Sequence, residues 1–353
     1  MSDNLTIPGR IIYLDIVRIL AIFAVVVIHI AACDWVCLPV SSFEWQTLNF
    51  YDAICRWCIP VFFMMSGRHF LHPEKTITFS TLFRKNVLRM VAALFFWGVL
   101  YYLYSSILQN GRIVLQDVLG GLLSVVTLKA RRHLWFLYAI TALYLMTPLL
   151  RRLVAVSTPK RLLRMSLGLI FVSGIIPIAA YFTPLRDMAF FLQGIGFPGL
   201  FILGYYISRY NTKVKYIGLL YAGGVLGLIF TIVASSILSV SENIGNQLFY
   251  QFTTPNVALT AIAMMVFGKN NLSKLSFGEK WDKRIEAFSN ITFAMYLVHD
   301  FFIIPFERRL YGFTPTSLNP VFLVPLLAAA VFALSILPAY LFKKIPVLRN
   351  FIA

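Results

Sequence analysis

The strongest constraint on this chain is a series of long apolar runs. Residues 11–32 (IIYLDIVRILAIFAVVVIHIAA) form one stretch long enough to cross a hydrocarbon layer, which takes about 20 residues. Nine further candidates follow, at 50–71, 87–108, 134–150, 165–182, 189–208, 214–238, 250–268, 287–306 and 320–342. The runs lack period-two alternation, so helices are expected rather than the strands of a barrel. Lipid offers backbone groups no hydrogen-bond partner, and a helix satisfies its own. With 59% hydrophobic and 13% charged residues, little of the chain is left for a water-soluble unit. The expected fold is all-α: a polytopic membrane helix bundle of about ten transmembrane helices. It forms a single domain over residues 1–353, with no appended soluble domain.

Lysine and arginine set the orientation. With the N-terminus placed in the cytoplasm, inside segments hold 22 of the 31 basic residues and outside segments hold 7, while Arg18 and Arg56 fall within spans. That bias puts both termini in the cytoplasm. It also accounts for the net charge of +17, which suits anionic lipid headgroups and gives no pointer to nucleic acid. The opening stretch is longer than a signal-peptide core and carries Asp15 and Arg18, so no cleavable signal is expected.

Ionisable residues inside such helices are costly and mark functional sites by default. Arg18 and His29 both lie in the first span, eleven residues apart. At ~100° and ~1.5 Å per residue they share one helix face and stand roughly 16 Å apart along the axis. In the expected orientation Arg18 lies toward the cytoplasm and His29 toward the outer face. Asp15, one turn before Arg18, can pair with it. Each residue also has a plainer use: Arg18 can snorkel to the headgroups beside Asp15, and His29 can bond a neighbouring helix.

Other segments add weaker signals. Ser66 and Gly67 are small residues near the end of span two, followed by Arg68, where backbones can approach closely. Arg84, Lys85 and Arg89 enter span three together; they suit an anionic nucleotide cofactor, and positive-inside bias alone would also place them there. Span four opens on Arg131, Arg132, His133, Leu134, Trp135 and Phe136. Its basic pair could contact an anionic glycan or a lipid phosphate, or merely be tolerated, and Trp135 sits where interfacial aromatics usually sit. In span nine Tyr296 and His299 are neighbours on one face, with Asp300 next in sequence. Cys33, Cys37, Cys55 and Cys58 cluster at the outer ends of the first two spans and leave three readings open: packing residues, disulfides, or a zinc site.

Taken in order, these pieces resemble the acyltransferase-3 family of integral-membrane O-acyltransferases. The matching residues are DIVR followed by ten residues and His29, VFFMMSG in span two, the basic entry to span three, LWF in span four, and S-x-x-T-F-x-M-Y-L-x-H in span nine. In size the chain is similar to the enterobacterial common antigen O-acetyltransferase group. The resemblance implies transfer of an acyl group, usually acetyl, from cytoplasmic acetyl-CoA to a hydroxyl of a surface polysaccharide or lipid-linked glycan. It implies the bacterial plasma (inner) membrane as location. Arg18 and His29 match the family's Arg-x10-His pair, with His29 as the base. Arg84, Lys85 and Arg89 stand where a CoA-binding Arg-x-x-Arg is expected, at looser spacing. Arg18, Ser66 and Arg68 complete the expected cofactor-binding set; Asp15, Trp135, Tyr296 and His299 are further candidates. No metal is expected.

Such chemistry needs a base for the hydroxyl proton, a donor for the oxyanion, and an acyl group held beside the acceptor. Imidazole, with an unperturbed pKa of about 6.5, suits the first task. Ser66 as an acyl-enzyme nucleophile is a weaker variant. The rival class is a glycolipid or polysaccharide transporter or flippase, which would also use intramembrane His, Arg and Asp. A non-catalytic membrane scaffold is a third reading.

Overall fold

The computed structural model describes residues 11–73, 77–186, 192–210, 216–275, 277–310 and 312–346, and every regular element among them is a helix. Among the described residues six helices are long and apolar enough to cross a membrane: α1 (Ile12–Ala31), α4 (Phe79–Asn110), α6 (Arg132–Val156), α7 (Pro159–Ala180), α9 (Ile217–Glu242) and α13 (Pro320–Lys344). A seventh span arises if α11 (Glu279–Ser289) and α12 (Thr292–Glu307), bent by 53° at their junction, count as one. The remaining expected spans are helical but short. Span two is split into α2 (Phe43–Cys55) and α3 (Cys58–Phe70); α8 (Gly196–Arg209) has 14 residues and α10 (Pro255–Asn270) has 16. At ~1.5 Å per residue none of these four reaches the roughly 30 Å of a hydrocarbon core.

Burial explains why short and broken helices are tolerated here. Non-helical backbone at membrane depth is stable where protein surrounds it. α8 is buried along Leu200–Leu203, and the α2–α3 break falls at Arg56, whose guanidinium is held by Asp52 one turn earlier. α1 is the axis of the bundle, with 61% of its apolar window buried against 17% for α9. It packs on α2, α3, α10, α11, α12 and α13. α9 and α13 instead turn Leu226, Phe230, Ile237, Phe322, Leu326 and Leu337 outward, as a lipid-facing belt requires.

The segment 109–133, between the third and fourth expected spans, contains a helix, α5 (Leu115–Val126), with Leu115, Leu119, Leu123 and Val126 exposed. Gly121 lets it lie close on α4, against Val99 and Tyr102. Of the basic residues used for orientation, Arg10, Lys75, Lys213, Lys215 and Arg349 lie outside the described residues, as do positions 189–191 of span six and 214–215 of span seven.

The small residues of span two have a definite role. α3 and α8 meet through reciprocal glycines: a Cβ on Gly67 would strike the carbonyl of Phe201, and one on Gly204 would strike the carbonyl of Met64. Neither obstacle is a side chain that could swing aside. Gly204→Ala is expected to cost at least ~1–3 kcal/mol by overpacking and to lower the unfolding temperature in detergent. An unchanged midpoint would show that the helices can separate without loss.

Candidate active site

The ends of α1, α3, α4, α6 and α12 that carry Arg18, Ser66, Arg89, Tyr144 and Thr292 converge on one cavity of about 300 Å³. Ile22, Ile59, Phe62, Met90, Phe136, Ile140 and Phe293 form its apolar wall, and Tyr296 and Asn86 complete the lining. α4 contributes through a local irregularity. Residues Phe83–Val87 form a π turn, a rare geometry that adds a residue to the helical repeat and is frequent at functional sites. Asn86 within it and Arg89 just beyond it line the cavity, while Arg84 and Lys85 remain exposed. The Arg89 guanidinium lies 5.6 Å from the centre of the Phe293 ring. Arg18 donates to Ser289 Oγ at 3.4 Å and stands 3.9 Å from the buried Asp15 carboxylate, with its own side chain 39% exposed. The bend between α11 and α12 is what brings Ser289 to Arg18.

Eleven residues along α1, the other end of the bundle holds three imidazoles. His29 meets His299 of α12 and His133 of α6, with ring centroids 5.2 and 6.1 Å apart, and His133 and His299 are 5.2 Å apart. His299 Nδ1 lies 2.7 Å from the Tyr296 carbonyl. A carbonyl only accepts, so Nδ1 carries the proton and, in a neutral ring, Nε2 holds the lone pair, buried without a hydrogen-bond partner among the described residues. His133 Nδ1 is 3.3 Å from Asp300 Oδ2. Asp300 in turn pairs with Arg131 through both carboxylate oxygens, Arg131 also binds Glu307, and Arg132 reaches Glu307 at 3.3 Å. This network locks the opening turn of α6 to α12 and orients His133.

Tyr296 joins the two halves. It lines the cavity, its hydroxyl donates to the His133 carbonyl, and its ring centroid is 5.5 Å from His133 and 6.0 Å from His299. Phe136, 5.9 Å from Tyr296, completes this wall. A cavity lined by two arginines and an imidazole cluster thus meet at the Tyr296 ring. A protein-family model described as an acyltransferase domain matches residues 11–341. The chain belongs to the acyltransferase-3 family. No curated protein and no solved structure matches it.

In this membrane acyltransferase, Arg18 and His29 both face protein: Arg18 the cavity and α11, His29 the two other histidines. Of the other expected site residues, Ser66, Arg89 and Tyr296 line the cavity and His299 sits in the cluster. Arg68, Arg84, Lys85 and Trp135 do not line it. Trp135 instead stacks on Phe252 at 5.2 Å, and Arg68 lies within electrostatic reach of Tyr13 and Lys269. All four cysteines are free thiols, and among the described residues no three of His, Cys, Asp and Glu are arranged to hold a metal ion.

From sequence the role of Arg131 is open, His133 and Asp300 are noted without a role, and Glu307 is not singled out. Arg131 and Arg132 are paired with acidic residues of α12, and Arg132 stays 60% exposed. One signal pointed there: Asp300 and Glu307 are seven residues apart, two helical turns, and so lie on one face of α12.

Proposed function

We propose that this acyltransferase moves an acetyl group from cytoplasmic acetyl-CoA to a hydroxyl of a surface polysaccharide or lipid-linked glycan, in a bacterial inner membrane with both termini cytoplasmic. One observation carries the reading. The cavity that gathers Arg18, Arg89 and Ser66 ends on Tyr296, whose ring also faces His133 and His299. The donor enters at the Arg18 end, its phosphates held by guanidinium groups that suit phosphate geometry. Its acyl end runs along the apolar wall to Phe136 and Tyr296. The acceptor hydroxyl approaches from the His29 end.

His29 is the base because it is the least buried member of the cluster. His133 is 2% exposed and His299 0%, whereas His29 is only half-buried. As His29 takes the hydroxyl proton, the acceptor oxygen attacks the thioester carbonyl. The tetrahedral adduct then expels the CoA sulfur, the C–S bond breaks, and the imidazolium returns its proton to the thiolate. Direct transfer is favoured over a seryl intermediate, because Ser66 shares the cavity with Tyr144 and with no imidazole to activate it. The acyl group reaches the histidines by displacing the Tyr296 ring.

The test is purified protein in lipid discs with isotopically labelled acetyl-CoA and membrane glycan fractions. Label covalently attached to glycan is expected. Movement of glycan across the bilayer without label would instead make the protein a carrier. Arg18→Ala is expected to raise KM for acetyl-CoA by about tenfold, the scale of one charge-assisted hydrogen bond. Unchanged donor kinetics would leave Arg18 a structural role only.

A further inference from the structure

A second hollow, about 200 Å³, lies between α4 and α6 and is lined by Ile77, Phe79, Leu82, Pro148, Arg151 and Arg152. Its position relative to the first cavity is fixed by the two helices they share. Asn86 on α4 is one turn beyond Leu82, and Tyr144 on α6 is one turn before Pro148. The hollow therefore continues the first cavity along a single seam, toward the surface at the Arg18 end. From Arg152 to Phe136 the seam spans sixteen residues of α6, about 24 Å at ~1.5 Å per residue. A ligand that uses the whole seam is long, thin in its middle, and anionic at its outer end.

The two arginines divide the work. Arg151 donates to the carbonyls of Phe70 and His72 at 2.8 and 2.9 Å and to that of Pro73 at 3.3 Å, which ties the end of α3 to α6 and closes one side of the hollow. Arg152 is exposed at its rim. Phe79 is 61% exposed there and stacks on Phe83, with ring centroids 6.0 Å apart and planes at 25°. An exposed aromatic face beside a guanidinium is the pairing that holds a base by stacking and a phosphate by charge.

We infer that this hollow binds the nucleotide end of the acyl-CoA donor, with the ribose phosphate on Arg152 and the adenine against Phe79. The inference rests on the donor assignment above and adds a site distinct from the Arg84, Lys85 and Arg89 cluster. It divides the donor between two compartments: adenine and ribose phosphate in the outer hollow, and the pyrophosphate at Arg18 and Arg89 with the pantetheine arm and acyl group in the inner cavity.

The test compares acetyl-CoA, acetyl-dephospho-CoA and acetyl-pantetheine as donors in discs of neutral lipid and in discs containing phosphatidylglycerol. Wild type is expected to prefer acetyl-CoA to the dephospho donor, and Arg152→Ala is expected to reduce that preference about tenfold, in both lipids. Phe79→Ala is expected to lower kcat/KM for both nucleotide donors relative to acetyl-pantetheine. Adenosine 3′,5′-bisphosphate should compete with acetyl-CoA on wild type and about tenfold more weakly on Arg152→Ala. An Arg152→Ala effect equal for all three donors, or present only in anionic discs, would assign the arginine to a lipid headgroup and overturn the site. Wild type that transfers acetyl from pantetheine but ignores the nucleotide would also overturn it. Wild type that uses no thioester at all would remove the donor assignment itself, and the site with it.

Discussion

Replacing His29 by alanine is expected to reduce acyl transfer by on the order of 10²–10⁴-fold, the usual range for loss of a general base. Thermal unfolding should change little. His29 is half-buried, and the two histidines it touches are held independently, His299 by the Tyr296 carbonyl and His133 by Asp300. Loss of activity with an unchanged unfolding midpoint therefore separates chemistry from folding. The same substitution at His299 or His133 is expected to affect both, because those rings are fully packed between α4, α6 and α12. Full transfer by His29→Ala would remove this residue from the mechanism and leave His299 Nε2 as the remaining oriented lone pair.

The second large effect is expected at Asp300. Its carboxylate is 3% exposed and answers both Arg131 and His133. Asp300→Asn would leave Arg131, 21% exposed, with Glu307 alone, and would leave His133 without its anionic partner. Breaking a buried pair by neutralising one member costs about 3–5 kcal/mol, because the surviving charge stays desolvated. A clear fall in unfolding temperature is expected, together with loss of transfer as the opening turn of α6 loosens. Glu307→Gln makes the contrast: its carboxylate is 29% exposed, water replaces part of what is lost, and the effect should stay within ~1 kcal/mol. Equal effects of the two substitutions would mean that Asp300 does not anchor the cluster.

How much of this could be read from sequence depends on the range of the interaction. The Arg18–His29 relation lies on one helix, so its eleven-residue spacing was enough to place both on one side of α1. Gly67 was legible as a close-approach residue, although its partner Gly204 was not, because reciprocal contact depends on how α3 and α8 cross. The meeting of His133 with His299 and Asp300 spans more than 160 residues and depends on α6 packing beside α12; no local period encodes it. The described helices differ in length from the expected spans for a related reason. Hydropathy reports how apolar a segment is and not what covers it, so α8 and α10, shielded by protein, read as full spans although they have only 14 and 16 residues. α5 falls outside the expected spans because its apolar residues occupy one face of a short helix and are diluted by Gln116, Asp117 and two glycines.

The central claim is that donor and imidazole meet inside the bundle, on either side of Tyr296. A structure of the protein with a non-hydrolysable acetyl-CoA analogue tests it most directly. The analogue's acyl end is expected beside Phe136 and Ile140 with the Tyr296 ring displaced toward His299, and its phosphates toward Arg18, Arg89 and the α4–α6 seam. An analogue seated at the His29 end, or bound with the cavity empty and Tyr296 unmoved, would contradict the account.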